Sequence, residues 1–297
     1  MTDHTKVALS SESSAPRPWW SRPATVLLGA GFIVAAISVN LGAPLGLLIA
    51  TSSVPWVIEA IRRRSGTVTM ALLLLSWLLG MLLLTMITGA LNLPMLPVVA
   101  IAAAIFGIAG LAVARGRLPN AVSGFSVRLW GGASVGGVIW AAAMAVAAVI
   151  PGGARYAWVM LGDSANNILI ARQVIYGNGL TIGPQENPVP LPSAVLALGM
   201  APGRSVVDAQ DLLRHDIAAF ALTWGALIAL SCVAVGVLAA TFTELSGTSS
   251  RVTVVVAVGA SLLPLSWFVT GYPIEFGFYN THLAILIMVA SMLVFLD

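Results

Sequence analysis

Charge is what this sequence has least of: only 8% of its 297 residues are Asp, Glu, Lys or Arg, against about a quarter in ordinary soluble domains. Water is therefore not its main solvent. Cysteine is nearly absent too, and the single Cys232 excludes an intrachain disulfide or a cysteine-based metal site. There are three histidines, His4, His215 and His282; the last two stand alone at the starts of apolar runs, where structural roles are commoner than catalysis. No P-loop, HExxH or GxSxG pattern occurs. Gly177, Gly179 and Gly183 lack the spacing of a dinucleotide loop, and no strand precedes them.

What is present is apolar. Hydrophobic residues make up 59% of the chain and the mean hydropathy is +0.97. Uncharged stretches near 20 residues recur, each long enough to cross a hydrocarbon core of about 30 Å as a helix. Barrel strands are only about 10 residues long and alternate in polarity, which these runs do not. The expected fold is all-α, a polytopic helical membrane protein of about eight transmembrane helices. The spans are read at 24–40, 44–61, 67–89, 95–114, 129–150, 216–243, 252–271 and 281–296. Only the turn Asn40 to Pro44 separates the first two, which form either two spans or a tight hairpin.

A pI near 9.5 in a soluble protein would suggest nucleic acid, but here the placement of charge matters more than its sum. Lys6, Arg17, Arg22, Arg62, Arg63, Arg64, Arg115, Arg117, Arg128 and Arg251 all fall on one side of the alternating spans. Only Arg155, Arg172, Arg204 and Arg214 fall on the other. By the positive-inside rule the N-terminus is cytoplasmic, in the cell membrane, and the 151–215 loop between the fifth and sixth spans is outside. Membrane lipids are then partners and nucleic acid is not.

The chain divides into a Ser- and Pro-rich cytoplasmic tail, 1–22, ending in the interfacial anchor Trp19 and Trp20; a four-helix membrane block, 23–128; and a region 129–297 that frames the large loop. A cleaved signal peptide is not expected, because the charged segment is long and the apolar part runs on into a second span. In the first block the lone acid Glu59 is close to Arg62 and Arg63, which reads as an interfacial ion pair more readily than as a transport residue. Gly132 and Gly136, like Gly42 and Gly46, have the spacing that lets helices approach closely. The loop is the outlier, since connections beyond about 15 residues are usually functional or disordered. Its composition argues for order. Ile168, Ala171, Val174 and Ile175 recur at helical spacing, predicting an amphipathic interfacial helix over 165–176. Asp163 and Ser164 supply its start signal and Gly177 to Gly179 its stop. A second short amphipathic stretch is expected over 193–200, after Pro192.

Asp163 is the first candidate for chemistry. At a helix N-terminus the backbone N–H groups favour an ionised carboxylate, which can act as a general base or bind a divalent metal. It can equally do no more than cap the helix. Asn166, Asn167 and Arg172 lie within three turns of it, and an arginine at the membrane surface suits either a phosphate or a snorkelling role. Glu186 is read as a solvated or substrate-binding acid. Asp208, Asp211 and Asp216 are read as solvating the loop and capping the sixth span. Glu275, among aromatics in FVTGYPIEFGFYNTH, shares the side of Asp163; it either faces a common cavity or is an exposed loop acid.

The strings WVMLGDSANNILIARQVIYGNGL and ENPVPLPSAVLALG, with the later proline of SLLPLSWF before the Glu275 turn, resemble the GT-C superfamily of membrane glycosyltransferases. The likeness covers roughly residues 150–297 and is to bacterial members similar to protein mannosyltransferases, with this chain matching an N-terminal part. The resemblance implies a polyprenyl-phosphate-linked sugar as donor and a cell-envelope acceptor. On that basis Asp163 corresponds to the outer-loop acid that takes the acceptor proton or helps hold a metal. Glu275 stands near the second-loop acid, and Arg172 is a candidate for the lipid phosphate. The chain departs from the pattern in having five spans before the loop instead of one, and a single acid instead of a pair. A transporter or flippase is the rival from another class, and would call for mid-span polar residues and broken helices in paired halves. A non-catalytic scaffold of an envelope-building complex is the third reading.

Overall fold

The computed structural model describes residues 23–62, 66–114, 124–181 and 189–296. All are helix or connection, with no strand among the described residues. The anchor Trp19 and Trp20 and the candidate Glu186 lie outside them.

The first four helices are α1 (Pro23–Asn40), α2 (Leu45–Arg62), α3 (Gly66–Leu91) and α4 (Met95–Ala114), close to the runs read from the sequence. Then follow α5 (Gly124–Ala133) and α6 (Val135–Ala148), which together fill the fifth run with a break at Ser134. A 3₁₀ turn (Gly152–Tyr156) leads to α7 (Ser164–Tyr176) and α8 (Pro190–Met200). The chain ends in α9 (Leu212–Leu245), α10 (Ser250–Leu262), the short α11 (Tyr272–Phe276) and α12 (Asn280–Phe295). Among the described residues three helices, α3, α4 and α9, are long and apolar enough to cross a membrane. A fourth crossing arises if Ser250–Leu265, which includes α10, and Trp267–Phe276, which includes α11, bent by 43° at the break between them, form one span. Large apolar side chains stand exposed along these helices, among them Leu79 and Leu83 on α3, Ile101 and Ile105 on α4 and Leu222 and Leu230 on α9, and the chain is a helical membrane protein.

The segment from the 3₁₀ turn to the start of α9 forms a cap over one pole of the bundle, and three helix–helix turns meet it there. Gly42, between α1 and α2, packs on Gly203. Asn178 donates from Nδ2 to Asn92 Oδ1 at 2.9 Å, joining the end of α7 to the α3–α4 turn. The N–H of Asp163 donates to the Phe276 carbonyl at 3.0 Å, joining the start of α7 to the α11–α12 turn. A 34-residue α9 is about 51 Å long, well beyond an apolar core of about 30 Å, so its first turns rise into the cap.

α7 is one-sided as expected: Ser164, Ile168, Ala171 and Val174 are buried while Ala165, Asn166, Leu169 and Gln173 are exposed. Its C-terminus is the stop read from the sequence, with Asn178 in the left-handed region (φ 57°). The 193–200 stretch differs from expectation. It is not amphipathic but buried all round, with Ala194, Leu196, Ala197 and Met200 at zero exposure. PLPSAVLALGM has no charged side chain to turn outwards, and its 11 residues reach only about 16 Å, too short to span. It is a plug inside the cap end, packed among α3, α7 and α9 and tied to α12 by the Tyr279 hydroxyl, which donates to the Pro192 carbonyl.

Small residues permit the closest helix contacts. Gly136 on α6 lies so near the Ser261 carbonyl on α10 that no Cβ fits, and its N–H donates to Ser261 Oγ at 3.1 Å. Gly132, one turn earlier, lies against Val254. The expected close approach at this glycine pair is present; at the other pair only Gly42 makes one, Gly46 having open space beside it. Glu59 is buried near the end of α2, and the arginine side chains expected to pair with it lie outside the described residues.

Where α10 breaks, a polar chain closes the gap. The Trp224 indole N–H donates to His282 Nδ1 at 3.1 Å, His282 Nε2 lies 3.0 Å from Thr270 Oγ1, and the Thr270 hydroxyl donates to the Pro264 carbonyl. With Nδ1 accepting and the Thr270 hydrogen already given away, Nε2 must carry the imidazole proton. Every member of this buried chain thus has a partner, as burial demands. His282 is a structural residue here.

Candidate functional site

The cap holds two groups of polar residues, and two clefts run along α9 below it. The first group surrounds Asp163. Its backbone is fixed on both sides, by the N–H bond to Phe276 and by its carbonyl, which accepts the Asn167 N–H at 3.1 Å. Gly277, with φ 74°, lies against the Asp163 N–H so closely that it can carry no side chain. Asn167 locks the same contact by donating from Nδ2 to the Gly277 carbonyl at 2.8 Å. Asp163 occupies the N-cap position of α7, yet its side chain makes no capping bond. Its carboxylate is exposed and has, among the described residues, only a long 3.4 Å hydrogen bond from Asn166 Nδ2. The next side chain, Ser164, is buried with its hydroxyl unpartnered. Glu275 is exposed on α11, two residues before Gly277. The two acids thus sit on segments that touch, while neither lines either of the two clefts described below.

The second group is a buried ion cluster that sequence reasoning missed. Asp216, read as a solvating or capping acid, lies inside α9 with zero exposure. Arg172 on α7 donates from Nε to its Oδ2 at 2.6 Å and Arg204 donates from Nη1 to its Oδ1 at 2.5 Å. Arg204 also donates to the Tyr176 hydroxyl at 3.1 Å and covers that ring. His215 donates from Nε2 to the Pro202 carbonyl at 2.9 Å, with Nδ1 3.3 Å from Asp216. A buried carboxylate is tolerable only when paired in this way. The signal in the sequence was an acid already inside an apolar run, DIAAFAL, where it has no water to meet. Arg172, expected near a lipid phosphate, spends its Nε on this cluster.

Two clefts flank α9. One, of about 460 Å³, runs between α6 and α9 and is lined by Trp140, Met144, Ala145, Leu222 and Ala226, with Arg155 and Tyr156 at its cap end. The other, of about 400 Å³, lies between α2, α8 and α9, with Pro44, Leu198 and His215 in its wall. Among the described residues no group of three His, Cys, Asp or Glu side chains is placed to hold a metal ion; Asp163 with Asn166 offers two oxygen-bearing side chains.

No protein-family model, curated protein or solved structure matches this chain.

Proposed function

We propose that the chain is a membrane glycosyltransferase that takes a sugar from a polyprenyl-phosphate donor at the non-cytoplasmic face and delivers it to a cell-envelope acceptor. In this reading α1, α2, α3, α4, α5 with α6, α9, α10 with α11, and α12 make eight passes. The N-terminus is cytoplasmic and the cap is outside. Two things support the orientation: the turns after α1, α3 and α11 gather at the cap, and the exposed Arg128 and Arg251 begin helices that run towards it.

The observation that carries the chemistry is the state of Asp163. Its backbone is held by two segments while its carboxylate is left exposed and almost unbonded. A residue retained only to cap α7 would spend its oxygens on the helix N–H groups. As the base, Asp163 takes the proton of an acceptor hydroxyl as that oxygen attacks the anomeric carbon. The bond from that carbon to the phosphate oxygen breaks, and the lipid phosphate leaves with the electron pair. Asn166 and Asn167 flank the carboxylate, and Glu275 adds negative charge on the neighbouring segment. The transporter alternative draws less support, because the polar residues at the break after α10, Trp224, Thr270 and His282, already satisfy one another.

In membranes supplied with polyprenyl-phosphate sugar, Asp163→Asn is expected to lose transfer at unchanged expression. Full transfer by that variant would overturn the assignment.

A further inference from the structure

The cleft between α6 and α9 is apolar along its length and polar at one end only. Its walls are small residues, Ala141, Ala145 and Ala148 from α6 and Ala218 and Ala226 from α9, over a floor that includes Trp140 and Met144. Ala141, Ala145, Leu222 and Ala226 are exposed, so the cleft opens sideways on the surface that faces lipid, not towards the cap. At its cap end sits Arg155. The guanidinium stacks 4.6 Å from the centroid of the Tyr156 ring, and its Nε is buried with no hydrogen-bond partner. A buried, unpaired guanidinium N–H is costly, and among the described residues that line the cleft there is neither Asp nor Glu. An anion from the surrounding bilayer would complete it.

We propose that this cleft is a binding site for one anionic glycerophospholipid of the surrounding bilayer, with an acyl chain along the alanine walls and its phosphodiester on Arg155. The position of Arg155 at the end of α6, where the apolar stretch gives way to Pro151, Gly152 and Gly153, sets it at headgroup depth. A single guanidinium matches the single charge of a phosphodiester. An anionic headgroup is favoured over a zwitterionic one because the latter brings an ammonium towards a site already positive. The occupant is a resident lipid and not the sugar donor, since none of Asp163, Asn166, Asn167 or Glu275 lines the cleft. The proposal does not depend on sugar transfer.

The test uses the full chain reconstituted in vesicles of equal parts phosphatidylglycerol and phosphatidylcholine, extracted in mild detergent and examined by native mass spectrometry. Both lipids offer Arg155 a phosphodiester and only phosphatidylcholine adds an ammonium, so the wild type is expected to carry phosphatidylglycerol over phosphatidylcholine by about tenfold. Arg155→Gln should abolish that preference. Ala145→Trp, which fills the cleft and leaves Arg155 in place, should strip the bound lipid. Both variants should elute and melt as the wild type does. An unchanged preference for phosphatidylglycerol in Arg155→Gln, or unchanged lipid in Ala145→Trp, would overturn the site. Chain extracted from native membranes should likewise carry phosphatidylglycerol, and recovery of a polyprenyl phosphate lost on Arg155→Gln would show the cleft to be the donor's and end the proposal of a resident lipid.

Discussion

Arg172 on α7 and Asp216 on α9, 44 residues apart, meet at 2.6 Å, with the carboxylate at zero exposure and the arginine side chain 23% exposed. Arg204, 8% exposed, takes the other oxygen. One carboxylate thus ties three separate parts of the cap together: α7, the turn before α9, and α9 itself. The pairing is also what makes burial of Asp216 possible, because its second oxygen would otherwise face an apolar wall.

Removing the carboxylate should therefore cost more than losing two surface ion pairs, which are worth little. Asp216→Ala leaves two arginines close together with nothing to neutralise them, and breaking a buried pair costs about 3–5 kcal/mol. Thermal unfolding in detergent should show a clearly lowered Tm for Asp216→Ala and a smaller drop for Asp216→Asn, which still accepts one hydrogen bond. A Tm unchanged in both would mean that the cluster holds nothing together.

The helices were legible because apolar length is written directly in the sequence: six of the runs from 24–40 to 281–296 each contain one helix at nearly the expected place, the fifth contains two, α5 and α6, and the seventh is broken after Leu262. The face of α7 was legible for the same reason, since Ile168, Ala171 and Val174 follow a single period. What was not legible is what depends on partners far away in the chain. Asp216 looks like any acid at a helix start until Arg172 and Arg204 are folded onto it. The 193–200 segment has the short length and serine of a surface helix, and only the ring of helices around it makes it a plug. The break after Leu262 is signalled by Pro264, but its remedy needs Trp224, Thr270 and His282 from three elements. Asp163 was chosen from the sequence, yet the missing capping bond that makes it interesting is a matter of geometry.

The polar chain at that break should behave as one unit. Thr270→Val keeps the side-chain shape but removes the hydroxyl, leaving the Pro264 carbonyl and the His282 N–H without partners, at about 1–3 kcal/mol for each buried group. Trp224→Phe removes the donor to Nδ1 together with part of a fully buried ring. In a double-mutant cycle read by thermal unfolding, Thr270→Val and Trp224→Phe should be less than additive, because the first loss already frees the imidazole between them. Strict additivity would show that the chain is not coupled.

Orientation follows from which pole reagents can reach. In a Cys232→Ser background, Ser205→Cys places a thiol on the exposed cap and Thr248→Cys one at the opposite pole, both at exposed positions. A membrane-impermeant maleimide added to intact cells should label the first and spare the second until the cells are opened. The reverse pattern would invert the proposed topology and, with it, the side on which any donor is met.

Gly277 and Asp163 give the sharpest separation between structure and chemistry. Gly277→Ala places a Cβ in a left-handed conformation, worth about 1–2 kcal/mol, and drives it into the Asp163 and Ser164 amides. Stability and any activity should fall together. Asn167→Ala, which removes the 2.8 Å bond to the Gly277 carbonyl, should do the same to a lesser degree. Asp163→Asn changes neither the backbone bonds nor any capping bond, so its melting curve should overlay that of the wild type while sugar transfer disappears. If instead Asp163→Asn melts early and retains transfer per folded molecule, the residue supports α7 through its charge alone, and the base must be sought on another segment.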